Sequence, residues 1–306
     1  MTNKAKAARF SVLSNTTLVT IKLIAGVMSG SVAILSEAVH SAIDLAAAGM
    51  AYFSVRAADI PADQEHPFGH GKIENVSGAV EATLIFAAAA YIVYESIRKL
   101  IIGGEVESLG LGILVMAVSA AVNIAVSRWL FHVARLEDSV ALEADAHHLS
   151  VDVYTSLGVL VGLALIQLTG LQALDPIIGI AVAAVITRVA YQLVRKAGGP
   201  LIDTGLPAQE ISKLNHILCS DPRVLAYHKL RTRKSGAQRH IDVHLLVPQD
   251  LSVSEGHTLA EEVEDRIRAE FSPVDVITHV EPMSDEEVRD STIFCPTRTT
   301  DKEEEE

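Results

Sequence analysis

The sequence predicts an α-helical membrane bundle of six transmembrane helices followed by a small soluble α+β domain. Three observations predict it. The first two thirds divide into apolar runs of roughly 20 to 28 residues, long enough to cross a bilayer as helices. Mean hydropathy is +0.32, and only 21% of residues are charged, against about 25% in soluble domains. The last third turns polar and shows strand-like alternation.

The spans fall at about 9–29, 32–56, 75–102, 108–134, 140–168 and 175–197, within a membrane domain of residues 1–204. Ser29-Gly30-Ser31 is a tight turn between the first two. Gly103-Gly104 stops the third, as glycine does past a helix end. Asp175-Pro176 reads as an N-cap followed by proline at the first helical position. The apolar stretch after the basic N-terminus lacks a convincing cleavage signal, so it is read as a retained helix. Lys4, Lys6, Arg9, Arg56, Lys72, Arg128, Arg135, Arg195 and Lys196 collect on one side. The opposite loops carry only Arg98 and Lys99. The positive-inside rule therefore places both termini in the cytoplasm of a multi-pass protein of the cell membrane. Lys22, inside the first span, is expected to snorkel outward to the interface.

Residues 205–283 form the soluble domain. Its expected order is helix 208–219, strand 224–233, strand 238–248, helix 254–271 and strand 274–281. That αββαβ order is of the ferredoxin-like, metallochaperone-like kind. The Lys234-Ser235-Gly236 turn joins the first two strands as a hairpin. The tail, 284–306, ends in an acidic run and is expected to be disordered. A net charge of −13 argues against nucleic acid as a partner. Cys219 and Cys295 lie far apart, so neither a disulfide framework nor a cysteine zinc site is expected.

The second span carries His40 and Asp44, the fifth His148 and Asp152. Each pair is spaced i, i+4, so each projects from one helix face. An Asp at a bilayer centre costs about 2.5–3.5 kcal/mol, and such residues usually mark an ion path. Two imidazoles and two carboxylates suit tetrahedral Zn²⁺ and disfavour Mg²⁺ and Ca²⁺, which take all-oxygen shells. Hydrogen bonding between helices is the plainer alternative; two identical pairs in one bundle weigh against it. Glu37, one turn before His40, reads as a proton relay, an outer partner, or packing near the mouth. His147 points about 100° away from His148 and is not counted as a ligand.

His66-Pro67-Phe68-Gly69-His70-Gly71-Lys72-Ile73-Glu74, Ser31-Val32-Ala33-Ile34-Leu35 and Leu230-Arg231-Thr232-Arg233 resemble stretches of the cation diffusion facilitator family, in its bacterial exporter branch. The resemblance runs from the first helix to about residue 283. It implies a homodimer with one transport site per protomer. It maps Asp63, His66 and His70 onto a loop zinc site. It also maps His228, His244, His257, His279 and Glu281 onto a binuclear site in the soluble domain. Lys72 and Asp203 match a charge pair that locks the protomers together. The family usually has Asp where Glu281 stands, an apolar residue where His147 stands, and, in this branch, Asp where His40 stands. The His-Asp/His-Asp set resembles the zinc-selective branch and favours Zn²⁺ over Fe²⁺, Mn²⁺ and Cd²⁺. His216 and His240 are read as ordinary surface residues.

The expected activity is Zn²⁺/H⁺ antiport by alternating access, with Zn²⁺ both transported and regulatory and no organic cofactor. Metal needs neutral imidazole and ionised carboxylate, so binding releases protons. The expected partners are thus the lipid bilayer, divalent metal ions, protons and a second copy of the chain. A membrane metallohydrolase is disfavoured: catalytic zinc keeps an open position, and no HExxH or ATP-binding GxxxxGK[ST] run is present. A non-transporting membrane metal sensor is the other rival; it would not need the buried quartet.

Overall fold

The computed structural model describes residues 2–29, 32–102, 110–169, 171, 173–284 and 293–295. The chain forms two compact units, Met1–Leu201 and Ile202–Glu306. The first holds six long helices among the described residues: α1 (Asn3–Ser29), α2 (Val32–Ala58), α3 (Lys72–Ile102), α4 (Gly110–Leu136), α5 (Val140–Thr169) and α6 (Leu174–Gly198). Among the described residues, five of these are long and apolar enough to cross a membrane. The sixth, α5, carries Glu143, Asp145 and Asp152, and it lies against each of the other five helices. Its central place shelters charges that lipid would reject.

The bundle is built inside out relative to a soluble protein. Ile21, Leu23, Ile24, Val39, Ile43 and Phe53 are exposed, whereas Ala8, Ala48, Ala51, Ala82, Ala144 and Ala183 are buried. Lipid is as apolar as leucine, so large side chains gain nothing by turning inward. Small residues let the backbones approach. At Gly158 of α5, a Cβ would lie 2.8 Å from Val182 Cγ2 of α6, so this contact admits only glycine without a shift.

Two expectations at the helix ends change. α6 starts at Leu174 after an N-cap Ala173 that makes no side-chain bond, so Asp175 and Pro176 sit in its first turn. α1 begins six residues earlier than expected, at Asn3 rather than 9. The Gly30-Ser31 turn and the Gly103-Gly104 stop lie outside the described residues.

The second unit holds α7 (Ala208–Leu218), β1 (Ala226–Ser235), β2 (Gln238–Val247), α8 (Val253–Phe271), β3 (Val274–Pro282) and β4 (Ile293–Phe294). The sheet order is β3-β2-β1-β4. β1 and β2 form an antiparallel hairpin that closes at Ser235↔Gln238. Gly236 takes φ +58° in the turn, a conformation glycine adopts without strain. β2 pairs parallel with β3, through the α8 crossover. Strand alternation then sorts the faces. Ile241, Val243 and Leu245 join Tyr227, Val276, Leu214, Leu218, Leu259, Val263 and Ile267 in the core under the helices. His244, between Val243 and Leu245, is left on the other face. Asp221 ties the α7–β1 turn to α8, accepting from Arg223 Nη2 at 2.8 Å and Arg266 Nη2 at 2.7 Å. The Arg223 bonds hold its carboxyl well below the usual carboxylate range.

Three further expectations are corrected. Cys219 and Cys295 are disulfide-bonded, their Cα atoms 5.1 Å apart; distance along the chain says nothing once the sheet brings its end back to α7. Residues 293–295, expected in a disordered tail, include β4, which pairs Ala226↔Phe294 and Tyr227↔Ile293 on the edge of β1. His240 is 8% exposed rather than on the surface. Burial pushes its imidazole below the ordinary histidine range.

Candidate metal centres

In the membrane unit α2 and α5 meet crosswise. His148 Nε2 of α5 lies 3.1 Å from Asp44 Oδ1 of α2, and His40 Nε2 of α2 lies 3.6 Å from Asp152 Oδ1 of α5. Donor atoms of His40, Asp44 and Asp152 all fall within 4.8 Å of one another. The i, i+4 spacing turns both residues of each helix to one face, and contact between the helices supplies the rest. Three of the four residues thus bring donors close together, and His148 joins them through its contact with Asp44.

Sequence reasoning missed neighbours of this group. Asn123 of α4 donates Nδ2 to Asp152 Oδ2 at 3.3 Å, orienting that carboxylate. Lys22 does not snorkel: it is 5% exposed and donates Nζ to Ser41 Oγ at 2.8 Å, one residue from His40. The hydroxyl gives the ammonium an inward partner. Glu81 of α3 and Asp145 of α5 are buried, and neither carboxylate oxygen of Glu81 has a hydrogen-bond partner among the described residues. Asp145, His148 and Asp152 follow i, i+3, i+7, a pattern legible in the sequence. His147 turns toward the Phe131 ring, 4.8 Å between centroids, away from the quartet. The side chain of Glu37 lies outside the described residues.

The α2–α3 loop gathers Asp63, His66 and His70, again with donors within 4.8 Å. Asp63 Oδ1 accepts from the backbone N–H of His66 at 2.6 Å and of Glu65 at 3.0 Å. The His66 N–H bond holds the carboxyl below its ordinary range, so it is ionised at neutral pH. Gly69, at φ +75°, reverses the chain and brings the His70 ring to 4.3 Å from that of His66.

In the soluble unit the strand register assembles the third group. His228 of β1 stands opposite His244 of β2, which stands opposite His279 of β3. Glu281, two residues on from His279, shares its face. Its Oε2 lies 2.8 Å from His228 Nε2, and its Oε1 lies 2.6 Å from His244 Nδ1 and 3.4 Å from His279 Nε2. His228, His244 and Glu281 have donors within 4.8 Å, while the His279 side chain is 62% exposed at the rim. The structure does not bring His257 to this group: it sits on α8 beside Glu261, 3.4 Å away.

Burial alone would raise the Glu281 carboxyl, but bonds from His244 and His228, with the nearby Lys229 charge, hold it at about 2. A carboxyl depressed in the folded state stabilises the fold above the ordinary glutamate range, and that stability is lost as pH falls through the folded value. Denaturant midpoints of the metal-free protein should therefore fall as pH drops from about 4.3 toward 2, and Glu281→Gln should flatten the slope. An unchanged slope in that variant would assign the acid sensitivity elsewhere. Asp203 accepts from Arg233 Nη1 at 3.4 Å, a partner the sequence did not suggest.

Residues 8–202 match the family model of the cation efflux transmembrane domain, and residues 206–283 that of the cytoplasmic domain of cation efflux proteins. The chain is 37% identical to an uncharacterized transporter of Synechocystis sp., over 87% of this chain and 86% of that protein. It is 31% identical to the cation-efflux pump FieF of Shewanella oneidensis, over 90% and 93%. With FieF of Yersinia enterocolitica the identity is 33%, over 91% and 92%.

Proposed function

The chain belongs to the cation diffusion facilitator family of cation-efflux transporters, and from that premise we propose that it exports Zn²⁺ from the cytoplasm in exchange for protons. The observation that carries this reading is the crosswise meeting of His40 and Asp44 with His148 and Asp152. Nitrogen and oxygen donors in that number suit four-coordinate Zn²⁺ and leave no ligand position for a reacting water. Two imidazoles also separate the cargo from the hard cations.

Loading requires both histidines neutral and both aspartates ionised, so each metal taken up displaces protons and each proton taken up weakens the metal. With the site facing the cytoplasm, it fills with Zn²⁺; with the site facing outward, protonation at His40 and His148 releases it. Rocking of helices about a fixed midplane site supplies the alternation. Asp63, His66 and His70 would hold a second Zn²⁺ in the loop. His228, His244, Glu281 and His279 would hold regulatory Zn²⁺ in the soluble unit, where donor type and closeness fit that ion. Metal there would bias the transport equilibrium only through different affinities for its two states. The Lys and Arg distribution, together with the match of 206–283 to a cytoplasmic domain, supports cytoplasmic termini. A homodimer closed by Lys72 and Asp203 of opposite protomers completes the reading, with Arg233 setting the Asp203 carboxylate.

The test is metal flux into proteoliposomes under an imposed pH gradient, with Zn²⁺, Cd²⁺, Fe²⁺ and Mn²⁺ compared. Zn²⁺ flux that follows the gradient is the expected result. Preferential Fe²⁺ or Mn²⁺ flux would overturn the selectivity. Bound metal without flux would replace the transporter by a sensor.

A further inference from the structure

We propose that Cys219 and Cys295 form a reversible thiol–disulfide switch that docks β4 onto the edge of β1, beside the His228 metal ligand. The cysteines are bonded, one at the C-cap of α7 and the other directly after β4. Cys219 lies within residues 206–283, which match a cytoplasmic domain, and Cys295 is tied back to it from beyond that range. Disulfides in reducing compartments are as a rule transient and redox-sensing rather than structural.

The local structure shows what the bond controls. β4 is two residues long, and Ile293 and Phe294 are 46% and 54% exposed, so apolar burial holds it weakly. Among the described residues, its attachments are the two register pairs with Ala226 and Tyr227, the Cys295 N–H bond to Leu225 O at 3.1 Å, and the disulfide. A strand so short does not repay the entropy of ordering the chain end by hydrogen bonds alone. Cross-linking removes that entropy from the undocked state. Cys295 is 8% exposed, while Cys219 is only half-buried, so a small thiol has one sulfur to attack. Opening the bond frees β4 and leaves β1 as an unpaired sheet edge at Ala226 and Tyr227, next to His228.

The exchange balances with a low-molecular-weight disulfide such as oxidised glutathione. Closing the protein bond takes two electrons and two protons from the two thiols, and the small disulfide is cleaved to two thiols. Excess reduced thiol runs the reaction backward through a mixed disulfide.

The full-length protein in detergent would be equilibrated across glutathione redox mixtures, its free thiols trapped by alkylation and counted by mass spectrometry. Hydrogen exchange would be followed over residues 293–295 and over β2 and β3. The expected result is one cooperative loss of two thiols on oxidation. On reduction, exchange at 293–295 should rise by at least about tenfold while β2 and β3 keep their protection. Cys295→Ser should reproduce the reduced pattern in either mixture, and retained β2–β3 protection shows that the variant is folded. Two thiols that stay free in the oxidised mixtures would overturn the proposal, as would exchange at 293–295 that is the same in both states. The assay reads strand docking, so it fails independently of the transport reading.

Discussion

Asp44→Ala is expected to lower Zn²⁺ flux by more than about 100-fold, since outer-shell partners alone are worth about 10–100-fold at metal sites. Asp44 is 4% exposed and is the carboxylate that faces His148 across the helix interface. On the proposed reading its removal takes away one ligand and unseats a second, His148. The chain should still reach the membrane, because a buried Ala fits among the alanines that already line this bundle. Initial rates in proteoliposomes, normalised to incorporated protein, check it. Asn123→Ala serves as the graded comparison, since it only orients Asp152; a smaller loss is expected there. Flux within twofold of the unmodified protein in Asp44→Ala would remove Asp44 from the site.

Leu245→Ala should destabilise the soluble unit by about 2–5 kcal/mol, the cost of a large-to-small change in a closed core. Leu245 is fully buried against the helices, near the C-terminal end of β2. The next residue toward the N-terminus, His244, lies on the opposite face and belongs to the histidine row. A cavity under β2 should therefore also loosen that row and weaken Zn²⁺ binding to it. Hydrogen exchange of β2 in the intact protein measures the first effect, and Zn²⁺ titration of the same sample the second. Unchanged exchange with weakened binding would separate the row from the core and refute the coupling.

The helices were legible because lipid imposes one rule on sequence: a span must be long and apolar. The α-β order of the soluble unit was legible from its alternation and its one glycine turn. The two intramembrane His-Asp pairs stood out because polar side chains are so costly there that their spacing alone draws attention, and the structure brings the pairs into contact. What escaped were contacts made by only one member of a helix. Asn123 and Lys22 are single polar residues without a repeating pattern, and nothing in the chain says which neighbour each meets. The return of residues 293–295 to β1 escaped for the same reason. An acidic, low-complexity end hides a two-residue strand, and a cysteine 76 positions from its partner gives no sign of pairing. His257 shows the converse: likeness to a motif suggested a ligand, and α8 carries it elsewhere.

The crosswise pairing of α2 and α5 bears on how the chain is made. His148 follows Asp44 by 104 residues, so α3 and α4 must leave the ribosome before the second half of the site exists. Until then α2 holds an aspartate in the bilayer with no partner, at a cost of about 2.5–3.5 kcal/mol. Arrival of α5 relieves that cost, which draws this helix, with its Asp145 and Asp152, into the middle of the bundle instead of leaving it at the lipid boundary. In the proposed transporter the metal site is therefore completed only when α5 joins the bundle.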